Sequence, residues 1–167
     1  MDTWLEIDRG SEVEARAALA AACGATRWVA AMLARRPFGS REALLRVARA
    51  EWMALTPEDW REAFAHHPEI GDVTSLRDRF PATHRLSTRE QAGVDGASEE
   101  VLNRLAEGNR RYRQRFGYTF IVCATGKSAG EMLRLLEARV DNDPAVEIAV
   151  AAEEQAKITA LRLQRAV

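Results

Sequence analysis

Only one stretch of this 167-residue chain, YTFIVCAT at 118–125, is rich enough in β-branched and aromatic residues to suit a strand. No second stretch offers it a partner. A lone strand cannot satisfy its own N–H and C=O groups by pairing, so a sheet protein is excluded. The stretch is expected as an isolated extended segment, and the fold has to be built from helices.

Helix signals fill the rest of the chain. Residues 12–22, EVEARAALAAA, read as a helix ended at Cys23–Gly24. Thr26 is expected to cap RWVAAMLARR, which Pro37 terminates. Ser40 caps a third helix whose Leu44, Leu45, Val47, Ala48 and Trp52 recur at helical spacing. Thr56–Pro57–Glu58–Asp59 is a strong start signal for a helix with Trp60 and Phe64 on one face. That helix runs into His66–His67–Pro68. Residues 71–86 read as irregular, and Ser87–Thr88–Arg89–Glu90 matches a capping box that starts another helix. Ser98 caps a long helix stopped by Gly117, Ser128 opens AGEMLRLLEARV, and Asp143–Pro144 opens the last one. The expectation is an all-α single domain over 1–167, a bundle of about eight helices with one short extended segment.

The charge balance limits the partners. With 24 basic and 25 acidic side chains the net charge is −1, so no single-signed field draws in nucleic acid or anionic lipid. No apolar run approaches the roughly 18–20 residues that span a bilayer. Cys23 and Cys123 have neither CxxC nor metal-finger spacing, which fits a reducing compartment without disulfides. MDTWLEIDRG lacks a basic-then-apolar leader and LQRAV is not a peroxisomal address, so a cytoplasmic location is expected.

The chemistry-bearing residues are few. His67 titrates near neutral pH, and Pro68 forces it out of helical dihedrals on a stiff backbone, which suits a projecting catalytic group. A histidine that merely helps to end a helix is the competing reading. Glu90 suits either a capping-box carboxylate or the partner that orients His67. Ser87 is either a cap or a ligand contact, and Gln91 is either solvated surface or a contact. Ile158 and Arg162 share a face of the last helix; an arginine there is either salt-bridged or binds an anion. Gly126–Lys127–Ser128 resembles the end of a phosphate-binding loop, but Ile121 stands where that loop requires glycine. The three residues can still hold an anion at a helix N-terminus. His66 and His84 lack an i, i+4 partner, so no zinc site is expected. Isomerase, hydrolase, lyase, nucleotide-dependent enzyme and non-catalytic helical module all stay open on these residues alone.

Taken together, several stretches resemble one family. They are CGATRWVAAML at 23–33, RPF at 36–38, AHHPEIGD at 65–72, LSTREQAGV at 86–94, FGYTFIVCATGKSAGEML at 116–133 and EEQAKITALRLQ at 153–164. In this order and spacing they resemble the 2-oxo-4-hydroxy-4-carboxy-5-ureidoimidazoline (OHCU) decarboxylases of urate degradation. The resemblance implies an all-helical homodimer without metal or organic cofactor. It implies a carboxy-lyase that converts OHCU to (S)-allantoin and CO₂. It further implies that His67 and Glu90 are catalytic, and that Pro68, Ser87, Gln91, Phe120, Ile121, Val122 and Arg162 bind substrate. In the family, Gly126–Lys127–Ser128 is a helix start.

Overall fold

Four of the helix starts marked by serine or threonine are where helices begin. A computed structural model describes residues 2–68, 73–80 and 98–165. Ser40, Thr56, Ser98 and Ser128 each accept a hydrogen bond from a backbone N–H three residues on. That satisfies a donor the first turn would otherwise leave unpaired. The nine helices among the described residues are α1 (Thr3–Arg9), α2 (Glu12–Ala22), α3 (Thr26–Ala34), α4 (Arg41–Met53), α5 (Pro57–Phe64), α6 (Val73–Arg79), α7 (Glu99–Phe116), α8 (Ala129–Arg139) and α9 (Pro144–Gln164). No strand occurs among them, so the fold is all-α.

Three places differ from the sequence reading. Thr26 is the first residue of α3 rather than its cap; its N–H and Oγ1 bind the Glu62 carboxylate at 2.5 and 3.1 Å. A tertiary partner thus replaces the local one. Residues read as irregular contain α6, held by fully buried Leu76 and a two-armed Arg77–Glu99 pair to the start of α7. Finally, α1 lies where no helix was expected. Its N-cap, Asp2, is of a capping type, but its carboxylate binds Arg41 at 3.0 Å instead of the first turn, and buried Ile7 secures the helix. The helix start expected at Ser87 lies outside the described residues.

The chain forms two compact units, Met1–His67 with Ile148–Val167, and Pro68–Glu147. In the first, Trp28, Trp52, Phe64, Leu19, Met32 and Leu44 are at most 2% exposed. Burying each such side chain is worth about 1.5–3 kcal/mol or more. Their polar atoms are matched: Trp28 Nε1 donates to Ala48 O at 3.0 Å and Trp52 Nε1 to Ala152 O at 2.8 Å. Trp60 Nε1 donates to Trp52 O at 3.0 Å, and the Phe64 ring meets Trp52 edge-on. These contacts, with the Glu62–Thr26 bonds, fix where α5 ends. They therefore fix where the two histidines emerge.

The second unit explains how an unpaired extended segment survives. Residues 118–123 are all buried. Arg139 of α8 donates to Ile121 O at 2.8 Å and stacks over the Phe120 ring at 4.5 Å. Its Nε and Nη2 bind Glu147 Oε1 at 2.8 and 2.6 Å. Tyr112 OH donates to the same oxygen at 2.5 Å, and Asn142 Nδ2 to Oε2 at 3.0 Å. One buried ion pair therefore anchors this segment at the Ile121 carbonyl and the Phe120 ring.

Candidate active site

The end of α5 delivers two histidines in different directions. The backbone N–H groups of His66 and His67 close the last turn on Ala63 O and Phe64 O, both at 3.1 Å. The His66 ring lies against Gly24, between α2 and α3; a Cβ at Gly24 would stand 2.4 Å from its Cδ2. Glycine is needed there for close approach rather than as a helix cap: α2 ends through Cys23, in an extended conformation. The His67 ring turns instead toward α9, where its Nε2 is hydrogen-bonded to Gln155 Oε1.

α9 presents a polar line on an otherwise small-residue face. Ala151, Ala152 and Ala156 are buried beside Gln155, Thr159 and Leu163. Gln155, Thr159 and Arg162 are spaced i, i+4, i+7, so they lie along one side of the helix. Gln155 Nε2 donates to Thr159 Oγ1 at 3.0 Å. Thr159 Oγ1 and Arg162 Nη1 both reach Ala22 O, at 3.5 and 3.2 Å. Ala22 is the last residue of α2, and its carbonyl is one that a helix leaves without an internal partner. A guanidinium there also suits the negative end of the helix dipole.

His67, Arg162 and Gln155 open onto one cavity of about 680 Å³ that Thr3, Glu6 and Arg165 also line. Burial pushes the His67 imidazole below its ordinary value. The Gln155 bond opposes this, while the positive Arg162 and the neighbouring His66 add to it. The ring is thus neutral at physiological pH and competent to accept a proton. Burial also drives the nearby Cys23 thiol up to about 11, so it stays protonated and is not a competing nucleophile.

The expected site residues divide as follows. His67 and Arg162 meet at this cavity. Pro68 follows directly and is exposed. Phe120, Ile121 and Val122 belong to the second unit, where their side chains are buried and the Ile121 carbonyl accepts from Arg139. Ser87, Glu90 and Gln91 lie outside the described residues. Gln155 was missed by the sequence reading. Its signal was legible: a lone amide four residues before a threonine on an alanine-rich helical face.

The Gly126–Lys127–Ser128 turn is a helix start. Gly126 has φ +76°, Lys127 Nζ donates to Cys123 O at 2.7 Å, and Ser128 Oγ accepts from Glu131 N. The ammonium holds backbone at the point where a nucleotide-binding lysine would face phosphate. No group of three or more His, Cys, Asp or Glu side chains with metal-ligand geometry occurs among the described residues.

Known proteins resemble this chain over most of its length. The profile of the OHCU decarboxylase family matches residues 8–164. The chain is 37% identical over 144 residues to the uric acid degradation bifunctional protein TTL of Arabidopsis thaliana, a match covering 86% of this chain and 44% of that protein. It is 33% identical over 139 residues to the 2-oxo-4-hydroxy-4-carboxy-5-ureidoimidazoline decarboxylase of Amia calva, covering 81% and 77%. A crystal structure of an OHCU decarboxylase in the presence of (S)-allantoin is similar with a TM-score of 0.67 at 33% identity, covering 86% of this chain and 92% of that one.

Proposed function

The chain belongs to the OHCU decarboxylase family, and on that premise we propose that it converts OHCU to (S)-allantoin and CO₂ as a carboxy-lyase of urate degradation. The observation that carries this reading is the meeting of His67 and Arg162 at one cavity, with the imidazole held neutral. Loss of the C4 carboxylate leaves an electron pair that the adjacent C5=N bond of the substrate can take up. The substrate thus supplies its own electron sink, and the reaction needs neither a metal nor an organic cofactor.

His67 takes or shares the proton of the 4-hydroxyl as charge develops, and Arg162 grips anionic or carbonyl oxygen with its planar fork. Glu90 stabilises the charged imidazole that forms when His67 takes the proton, Ser87 and Gln91 hold the ureido arm, and Pro68 with the 120–122 backbone completes the substrate contacts. Protonation of C5 from one face gives the S product. Holding a reactive, spontaneously decaying substrate in one orientation supplies part of the acceleration. Residues 1–167 act as one decarboxylase domain in a cytoplasmic homodimer; no described helix is long and apolar enough to cross a membrane.

The test is to generate the unstable oxidation product of urate in situ, with the hydrolase that opens it to OHCU, and to follow chirality by circular dichroism. With this protein added, the S-allantoin signal is expected to rise faster than spontaneous decay and to persist until racemisation. Racemic product at the spontaneous rate removes the proposed activity.

A further inference from the structure

Between the base and the C-terminal end of α2 runs a line of hydrogen bonds whose direction is fixed at one end. Ala22 O is a peptide carbonyl and can only accept. The Thr159 hydroxyl, 3.5 Å away, therefore donates to it. Its oxygen is then free to accept from the Gln155 amide NH₂ at 3.0 Å. That turns the amide oxygen toward His67 Nε2. An amide oxygen also only accepts, so Nε2 must carry the proton. A neutral imidazole protonated at Nε2 has its lone pair on Nδ1.

We infer that Gln155 is a positioning residue that fixes His67 as the Nε2–H tautomer, with Thr159 orienting the amide, so that Nδ1 is the nitrogen that works as base. Gln155 is 1% exposed and Thr159 5%, so water does not compete for these bonds. The two residues sit one turn apart on a helix anchored by Trp52 and by Arg162, which gives the amide little freedom to rotate. A buried glutamine on an alanine face is otherwise costly, since an unsatisfied amide gives up its bonds to water and gains none in return. Its two polar atoms are both matched by this arrangement. The part that concerns catalysis rests on the decarboxylase reading; the tautomer does not.

The experiment uses the full ligand-free chain labelled with ¹⁵N-histidine. Long-range ¹H–¹⁵N correlations at about pH 8 report which ring nitrogen is protonated in the neutral form. His67 is assigned by its absence in His67→Asn. Wild-type His67 is expected to show protonated Nε2 and bare Nδ1. Gln155→Leu is expected to give a mixture of tautomers and to lower kcat by at least about tenfold with little change in KM, a fraction of what general acid–base participation is worth. Gln155→Glu keeps an acceptor facing Nε2 and adds a negative charge. It should retain the tautomer and move the acid limb of the pH–rate profile upward. Thr159→Val removes only the hydroxyl, and it should move the tautomer ratio the same way as Gln155→Leu, so the proposal stays testable if the leucine variant does not fold. Protonated Nδ1 in the wild type, or an unchanged ratio and pH profile in Gln155→Leu and Thr159→Val, overturns it. Absence of allantoin formation would remove the decarboxylase reading while leaving the NMR result to decide the tautomer.

Discussion

Replacing His67 with asparagine is expected to lower kcat/KM for formation of (S)-allantoin by about 10²–10⁴-fold, the range that a positioned acid–base group contributes. Asparagine keeps a hydrogen-bonding side chain near Gln155 but cannot take a proton. The ring is half-buried and its removal leaves Phe64, Trp52 and the Glu62–Thr26 bonds untouched, so the helical circular dichroism should be unchanged. Stopped-flow measurement of the optical signal, corrected for spontaneous decay, reads the loss. An unchanged rate would mean that His67 is not the base.

The wild-type pH profile carries the same assignment. The active form is the neutral imidazole. Burial, and then the positive Arg162, set its midpoint below the ordinary value of 6.5. The acid limb of kcat/KM is therefore expected below pH 6.5, with full activity near neutrality. The stability consequence has the same sign. Between the two midpoints the unfolded chain binds more protons at this site than the folded one, so stability falls as pH drops through that window and levels off below it. The asparagine variant should lose that portion of the pH dependence.

The largest effect on stability is expected at Glu147, which is fully buried. Replacing it with alanine leaves the Arg139 guanidinium buried without its carboxylate and takes the acceptor from Tyr112. Burial, reinforced by the bond to Glu147, holds the Tyr112 phenol well above its usual range, so it remains a donor in need of a partner. Removing one member of such a pair costs about 3–5 kcal/mol. In a chain of this length that is a fall in Tm of roughly 10 °C. Glu147→Gln, which keeps acceptors for Tyr112, should lose less. Thermal and urea unfolding followed at 222 nm measure both. A Tm within about 2 °C of wild type for the alanine variant would show that the extended segment is held by something other than this pair.

Local chemistry was legible where one residue decides. Caps at Ser40, Thr56, Ser98 and Ser128, the left-handed stop at Gly117 and the absence of a strand partner for 118–125 all follow from short-range rules. What was hidden depends on distant residues. Thr26 looks like a cap and is instead the receptor for Glu62, thirty-six positions away. Residues 73–79, a seven-residue run after Asp72, are held as a helix by Leu76 and the pair to Glu99. The Arg139–Glu147 pair was invisible because nothing local distinguishes a buried arginine from a solvated one. The same division runs through the site. His67 stood out because proline restricts it, and Arg162 because it breaks an apolar face. Gln155 shows locally as a lone amide on an alanine-rich face, but its role emerges only once α5 brings His67 against α9. The motifs shared with the decarboxylase family supplied the reaction, which spacing and composition left open.

The most direct test of the account is a crystal structure of the chain soaked with (S)-allantoin. The account places the ligand in the cavity lined by His67, Gln155 and Arg162. It predicts a ring oxygen or nitrogen within hydrogen-bond distance of the imidazole and a guanidinium nitrogen of Arg162 on a carbonyl oxygen. Ligand bound elsewhere on the molecule, with this cavity empty at saturating concentration, would contradict it.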